Sequence, residues 1–217
     1  MAETRTRTPR ERYRTQVRTE IKERAWEQMA AAGASALSLN AIAKQMGMSG
    51  PALYRYFASR DDLITELIRD AYRSLADTFR RATSESESGA DLAALAHALR
   101  GWALEDPQRY FLIYGTPVPG YHAPDDVTAI ASEIMATLLD ACAAIPSDTP
   151  VTPFAAHLED HRQWADGHPA PSAALHRALT VWTRLHGVLS LELAGHFTGM
   201  GFDSVQLFTA ELDDLLA

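Results

Sequence analysis

Between Gly47 and Phe57 the chain reads GMSGPALYRYF, and the side chains in this stretch suit one kind of chemistry. Tyr54, Arg55 and Tyr56 bring two phenols and a guanidinium together, with Arg60 close behind. All of these donate well to phosphate oxygens. Gly50, Pro51 and Ala52 precede them and carry little side chain, so this end can come close to another surface. Ser38 and Ser49 stand where two short helices would begin, each able to accept from the first free N–H groups. A second group, HLEDH, sets His157 and His161 four residues apart, a spacing that two metal ligands on one helix face use, with His168 nearby. Glu159 is not adjacent to His157 as a zinc-hydrolase motif needs, and no third ligand is evident. A solvated helix face is the simpler reading, and no metal is expected. With no Gly-rich phosphate loop, no G-x-S-x-G and no Ser/His/Asp grouping at motif spacing, neither a catalytic residue nor a cofactor is expected.

These residues need elements to position them, and the periodicity is helical throughout. Val17, Ile21, Ala25 and Met29 recur every four residues, with Gly33 as a stop. Ile42, Ala43 and Met46 mark a short helix after Ser38, closed by Gly47. Ser49 can cap the next, with Pro51 tolerated in its first turn. On that helix Leu53 and Phe57 share an inner face, packing on Ile42, Ala43 and Met46, while Gly50, Pro51, Tyr54 and Arg55 turn outward. Two short helices joined by a three-residue turn, the second with such a face, form a helix-turn-helix sized for the major groove. Ser59 and Asp62 resemble a capping box for a longer helix through Leu63, Leu67, Ala71 and Leu75.

Beyond it, SESESGAD (84–91) reads as a loop or hinge. A stripe of Leu92, Leu95, Leu99 and Trp102 follows, and then Asp106-Pro107 opens a helix through Tyr110, Phe111 and Tyr114 to Gly115. TPVPGYHAPDD reads as irregular, and Val127, Ile130, Ile134 and Leu138 start another helix. A less regular helix spans Phe154 to Trp164. A long one over about Ala173–Phe197 and a last over Ser204–Leu216 complete an all-α chain without internal repeats.

Composition narrows the class further. The 217 residues are 47% apolar, enough for a sizeable core, and no apolar run approaches the roughly 18 residues of a membrane span. The basic start lacks an apolar segment behind it, so no secretory signal is expected, and the lone Cys142 suits a reducing cytoplasm. Net charge of -8 hides an asymmetry: 15 Lys and Arg face 10 Asp and Glu over 1–81, against 5 and 18 over 82–217. The basic part can approach phosphates while the acidic part faces away.

The stretch SLNAIAKQMGMSGPALYRYFASRDDLI resembles the DNA-binding signature of the TetR/AcrR (tetracycline-repressor-like) family. The shared features are the apolar-Ala pair, Gly then Ser at the turn, Leu-Tyr-x-Tyr-Phe, and a basic residue opening the next helix. The likeness covers about residues 15–70. It implies a flexible basic arm over 1–14 (Arg5, Arg7, Arg10, Arg12 and Arg14), a three-helix helix-turn-helix domain over 15–62 and a connecting helix over 63–83. A ligand-binding and dimerisation domain over 84–217 would follow. Carried over by position, Gly50, Pro51 and Ala52 would face bases, Tyr54, Arg55, Tyr56 and Arg60 would hold phosphates, and Ser38 and Ser49 would lie at the backbone. Glycine and alanine stand where many relatives have larger polar side chains, which shifts readout toward Arg55, thymine methyls or DNA shape.

The resemblance also implies a homodimer on a near-palindromic operator of double-stranded DNA, with Trp182, His186, Gly187, Leu189 and Leu193 at the helix pair that joins two copies. A small apolar or aromatic effector would be lined by Trp102, Tyr110, Phe111, Tyr114, Trp164 and the Tyr121-His122 loop. The expected protein is therefore a cytoplasmic, ligand-responsive transcriptional repressor, not an enzyme and without a membrane partner. The alternatives are a helical metal-dependent enzyme and a helical interaction protein that binds no DNA.

Overall fold

The computed structural model describes residues 8–85, 91–146 and 151–216, and among them are ten α-helices and no strand. Helix α1, Pro9–Ala32, opens on a reciprocal cap: the Thr8 hydroxyl accepts from the Glu11 N–H, and the Glu11 carboxylate accepts from the Thr8 N–H. Arg10, Arg12 and Arg14 therefore stand on the first turns of a helix, exposed, instead of in a flexible arm; Arg5 and Arg7 lie outside the described residues. Val17, Ile21, Ala25 and Met29 are the buried edge of α1, and Gly33 stops it at a φ of 79°, where a side chain would be strained.

Helices α2, Leu39–Gln45, and α3, Gly50–Leu53, follow, separated by Gly47 at positive φ. The Ser38 hydroxyl accepts from the Ala41 N–H at 3.3 Å, as a cap should. Ser49 makes no such bond. Regular helix in α3 ends at Leu53, one turn earlier than the pattern predicts, and Tyr54–Phe57 continue as hydrogen-bonded turns on the Gly50 and Leu53 carbonyls. Helix α4, Arg60–Glu85, is longer than the connecting helix expected over 63–83. At its start the Ser59 hydroxyl accepts from Asp62, whose carboxylate reaches past Ser59 to the Ala58 N–H.

Helix α4 is a spine shared by two cores. Leu63, Ile64, Leu67 and Ile68 close the first core with Ile21, Ile42, Leu53 and Phe57. Leu75, Ala76 and Phe79 enter the second. Each such full burial contributes about 1.5–3 kcal/mol, so the two halves cannot separate without exposing much of α4. The second core gathers α5 (Leu92–Glu105), α6 (Pro107–Tyr114), α7 (Asp125–Ala144), α8 (Pro153–Asp160), α9 (Ser172–Leu193) and α10 (Ser204–Leu216). Asp91, Asp106 and Thr152 cap α5, α6 and α8 through their side-chain oxygens. The hinge expected over 84–91 falls mainly on residues outside the described ones.

Two departures from the sequence pattern have clear causes. Helix α7 is long and apolar enough to span a membrane by length and composition, contrary to the expectation that no run is. Here its Val127, Ile130, Ile134, Leu138 and Leu139 stripe is buried, and the helix lies against α4 and α9. Helix α9 ends at Leu193 and not at Phe197, because Gly195 turns to a φ of 77° and the His196 N–H returns to the Leu191 carbonyl. The irregular strap after α6 is as expected, but it docks on the first core: Val118 is buried there beside Val127, with Tyr121 half-buried.

Candidate functional site

The helix-turn-helix presents its polar face as a consequence of its buried one. Leu53 and Phe57 are fully buried, which fixes Pro51, Tyr54 and Arg55 on the outside. Arg55 is exposed and makes no hydrogen bond or ion pair within the described residues, and Tyr54 is 46% exposed. A side chain at Gly50 would meet only the Asn40 amide oxygen at 3.6 Å, an ordinary contact, so the protein's own packing does not require glycine there. Exposed Lys44 on α2 adds a further positive charge beside the turn. The surface is thus small at its leading edge, with a free guanidinium and a phenol behind it.

One expected phosphate contact is spent inside the protein, and a second is partly covered. The Arg60 guanidinium donates from Nε to the Leu37 carbonyl at 3.2 Å and from Nη2 to the Ala34 carbonyl at 2.8 Å. It clamps the turn between α1 and α2 and does not project. Tyr56 is half-buried against the first core, and its carbonyl is held from within. The group that holds it is Arg18 of α1, which the sequence pattern does not single out. Arg18 Nη1 donates to the Tyr56 carbonyl at 2.6 Å, Nη2 pairs with Glu66 at 3.1 Å, and the guanidinium carbon lies 4.2 Å from the centre of the Phe57 ring. Glu66 pairs in turn with Arg69, which grips Asp126 at the start of α7. That partner holds the exposed Asp126 carboxyl below the usual carboxylate range. A chain of charge pairs therefore runs from the end of the recognition segment to the second domain.

The residues expected to line an effector site divide. Tyr110 and Tyr114 of α6 meet Trp182 and His186 of α9 in one aromatic box: Tyr114 to His186 at 4.4 Å, Trp182 to His186 at 4.2 Å, Tyr114 to Trp182 at 5.4 Å between ring centres. The Tyr110 hydroxyl lies 2.9 Å from both His186 Nδ1 and Ser190 Oγ. Burial pushes the His186 pKa down to about 4, so the ring is neutral, and it pushes the Tyr114 phenol well above its ordinary value. Trp102 is buried alongside, its indole N–H donating to Ser74 at 3.1 Å. Phe111 touches Tyr110 but lines a different cleft, of about 220 Å³, with Met29, Gly33 and Leu112 between the two domains. His122 is exposed and faces its own Gly120 carbonyl, outside the box. Trp164 sits on a 3-10 turn, Gln163–Ala165, without ring contact to the cluster.

The expected dimer residues also divide. Trp182 and His186 belong to the box and Leu189 is fully buried within the chain's own core, so these three face inward. Gly187 is exposed, and a Cβ there would meet nothing within 4 Å. The outward apolar residues of this end are Leu191, Met200, Phe202, Val205 and Leu216. Leu193 is half-buried. As for the histidines, His157 and His161 stack on each other at 4.1 Å, whereas His168 is drawn to Asp140 at 3.1 Å. No group of three metal-ligating residues forms among the described residues.

Comparison with known proteins places this geometry. The family model for tetR-family bacterial regulatory proteins matches residues 21–67, and that for the tetracyclin repressor-like C-terminal domain matches 92–215. HTH-type transcriptional regulator Rv1816 of Mycobacterium tuberculosis (strain H37Rv) is 39% identical over 196 residues, covering 85% of this chain and 83% of that protein. The crystal structure of SCO4313 is 75% identical, with a TM-score of 0.87 over 96% of this chain and 99% of that one. FadR from Bacillus subtilis, solved in complex with stearoyl-CoA, shares the fold at 13% identity, with a TM-score of 0.61 over 92% of this chain and 97% of that one.

Proposed function

The chain belongs to the tetR family of bacterial regulatory proteins, and from that premise we propose a repressor that binds a near-palindromic operator as a homodimer. A small apolar or aromatic effector in the C-terminal domain would release it. Family membership makes the protein a DNA-binding transcriptional regulator of the helix-turn-helix kind. The finer reading rests chiefly on one observation: Arg55 and Tyr54 stand free and exposed on a turn locked from beneath by Leu53 and Phe57. A guanidinium with no competing partner, on a turn whose backbone is held by the core, is available to grip a phosphate, or guanine O6 and N7.

For the dimer, the support is the outward face of α9 and α10. Gly187 leaves room for close helix approach, and Leu191 of α9, Val205 of α10 and Phe202 on the loop that joins them are exposed apolar residues. Gly187 in a helix costs about 1 kcal/mol relative to alanine, a cost that close approach of a second copy would offset. For effector release, the support is the position of α6. It carries Tyr110 and Tyr114 into the aromatic box, while Leu112 packs on the first core. A ligand that displaces the box would move a helix already seated on the DNA-binding half, and the coupling between effector and operator would be reciprocal, typically about 1–3 kcal/mol. On this reading the protein works in the cytoplasm without a membrane partner, cofactor or catalytic step.

Selection of bound duplexes from a random DNA library tests the proposal. A consensus with two inverted half-sites would support it. No enrichment at low salt, with effector absent, would refute it.

A further inference from the structure

His186 has one ring nitrogen without a use. Its Nδ1 lies 2.9 Å from the Tyr110 hydroxyl, which also touches Ser190 Oγ at 2.9 Å and the His186 carbonyl at 3.3 Å. His186 Nε2 is buried and has no hydrogen-bond partner among the described residues. Neither tautomer relieves this. If Tyr110 donates to Nδ1, then Nε2 carries an unpaired N–H. If Nδ1–H donates to Tyr110, whose proton passes to Ser190, then Nε2 is an unpaired lone pair. A buried polar atom left alone destabilises the fold, and an apolar residue of similar shape would avoid that cost.

The surroundings say what could relieve it. Trp182, its ring tilted against that of His186 with centres 4.2 Å apart, is also one wall of an apolar cavity formed by Phe79, Leu92, Leu95, Leu99, Leu138 and Leu185. That cavity holds about 10 Å³ of free space, no more than a single water needs, and its other lining residues, Ala96 and Val181, offer no polar side chain either. Trp182 touches both this cavity and the His186 ring, so an occupant that displaces it gains room and meets His186. Among the described residues no cationic side chain lines the cavity or makes a ring contact in the box, and burial keeps His186 neutral, so an anion finds no counter-charge among them.

We propose that the effector is an uncharged, mainly apolar molecule bearing a hydroxyl, which enters by displacing Trp182 and pairs with His186 Nε2. A hydroxyl suits the atom in either tautomer because it both donates and accepts. The apolar body takes the cavity, and one polar group sets orientation. This rests on the effector-responsive reading above and narrows it to a chemical class.

The test uses three probes of one shape on the full chain: 4-propylphenol, propylbenzene and 4-propylbenzoate, measured by calorimetry. The phenol should bind about tenfold tighter than the hydrocarbon, as one buried hydrogen bond allows, with the benzoate weakest. In His186→Leu the phenol should lose that advantage and the hydrocarbon keep its affinity, and His186→Gln should restore part of it. Should His186→Leu fail to fold, the ranking on the unaltered protein still decides. Equal binding of phenol and hydrocarbon, preference for the benzoate, or no binding of any probe would overturn the proposal. Operator release by the anion alone would overturn this class while leaving the regulator reading intact. His186-dependent phenol binding without any change in operator affinity would uphold the site and count against effector release.

Discussion

Replacing Arg18 with methionine tests how the recognition segment is held. The substitution keeps an alkyl stem of similar reach and removes the guanidinium. Lost with it are a charge-assisted hydrogen bond of 2.6 Å to the Tyr56 carbonyl, the pair with Glu66 and the contact over the Phe57 ring. The hydrogen bond contributes about 1.5–3 kcal/mol. The Glu66 pair adds little, since both side chains are about a quarter to a third exposed and Glu66 retains Arg69. The ring contact adds about 0.5–1 kcal/mol. These terms overlap in one side chain, so a loss of about 2–3 kcal/mol is expected. For a chain of this size that lowers Tm by roughly 5–10 °C. Because the Tyr56 carbonyl ends the turn that carries Tyr54 and Arg55, operator affinity should also fall, by about tenfold. Differential scanning calorimetry and fluorescence anisotropy on a selected duplex read the two effects. A variant within about 1 °C and twofold of the unaltered protein would refute the positioning role of Arg18.

Other consequences are as direct. Arg55→Ala should weaken operator binding by about tenfold or more with Tm unchanged, because Arg55 has no partner among the described residues. Arg60→Ala should instead lower Tm, since it frees the Ala34 and Leu37 carbonyls, and the two variants together separate contact from scaffold. If the proposed homodimer forms through this face, Gly187→Arg should split it in sedimentation experiments and leave helicity intact, because a Cβ at that position meets nothing within 4 Å in the chain itself. For pH, the folded box refuses a proton that the unfolded chain accepts below about 6.5, the ordinary value for His186. Its contribution to stability is therefore complete above pH 6.5 and is lost as pH falls toward about 4, at up to about 1.4 kcal/mol per pH unit. Denaturant midpoints of the unaltered protein should show this decline, and His186→Leu should lack it.

The recognition segment was legible because its signals agree. Leu53 and Phe57 repeat at helical spacing, small residues precede Tyr54 and Arg55, and glycine and serine punctuate the turn. Arg18 was not legible: its contact spans 38 residues and ends on a carbonyl, which carries no sequence mark. Its position next to Val17 on the buried edge of α1 is the one local hint. Arg60 looked like a phosphate ligand because a basic residue at a helix start suits both roles; only the fold shows two carbonyls within its reach. Helix α9 was ambiguous for another reason. It is apolar around much of its circumference, so periodicity could not say which face meets its own core and which is free. Trp182, His186 and Ser190 form the inward row toward α6, while Thr183, Gly187 and Leu191 form the outward one. Periodicity likewise misses how far Gly195 shortens that helix.

Hydroxyl-radical footprinting of a selected duplex tests the central claim most directly. Two protected patches related by a two-fold axis, about one helical turn apart, are predicted, both lost with Arg55→Ala. A single patch, or a footprint that survives Arg55→Ala, would contradict the account.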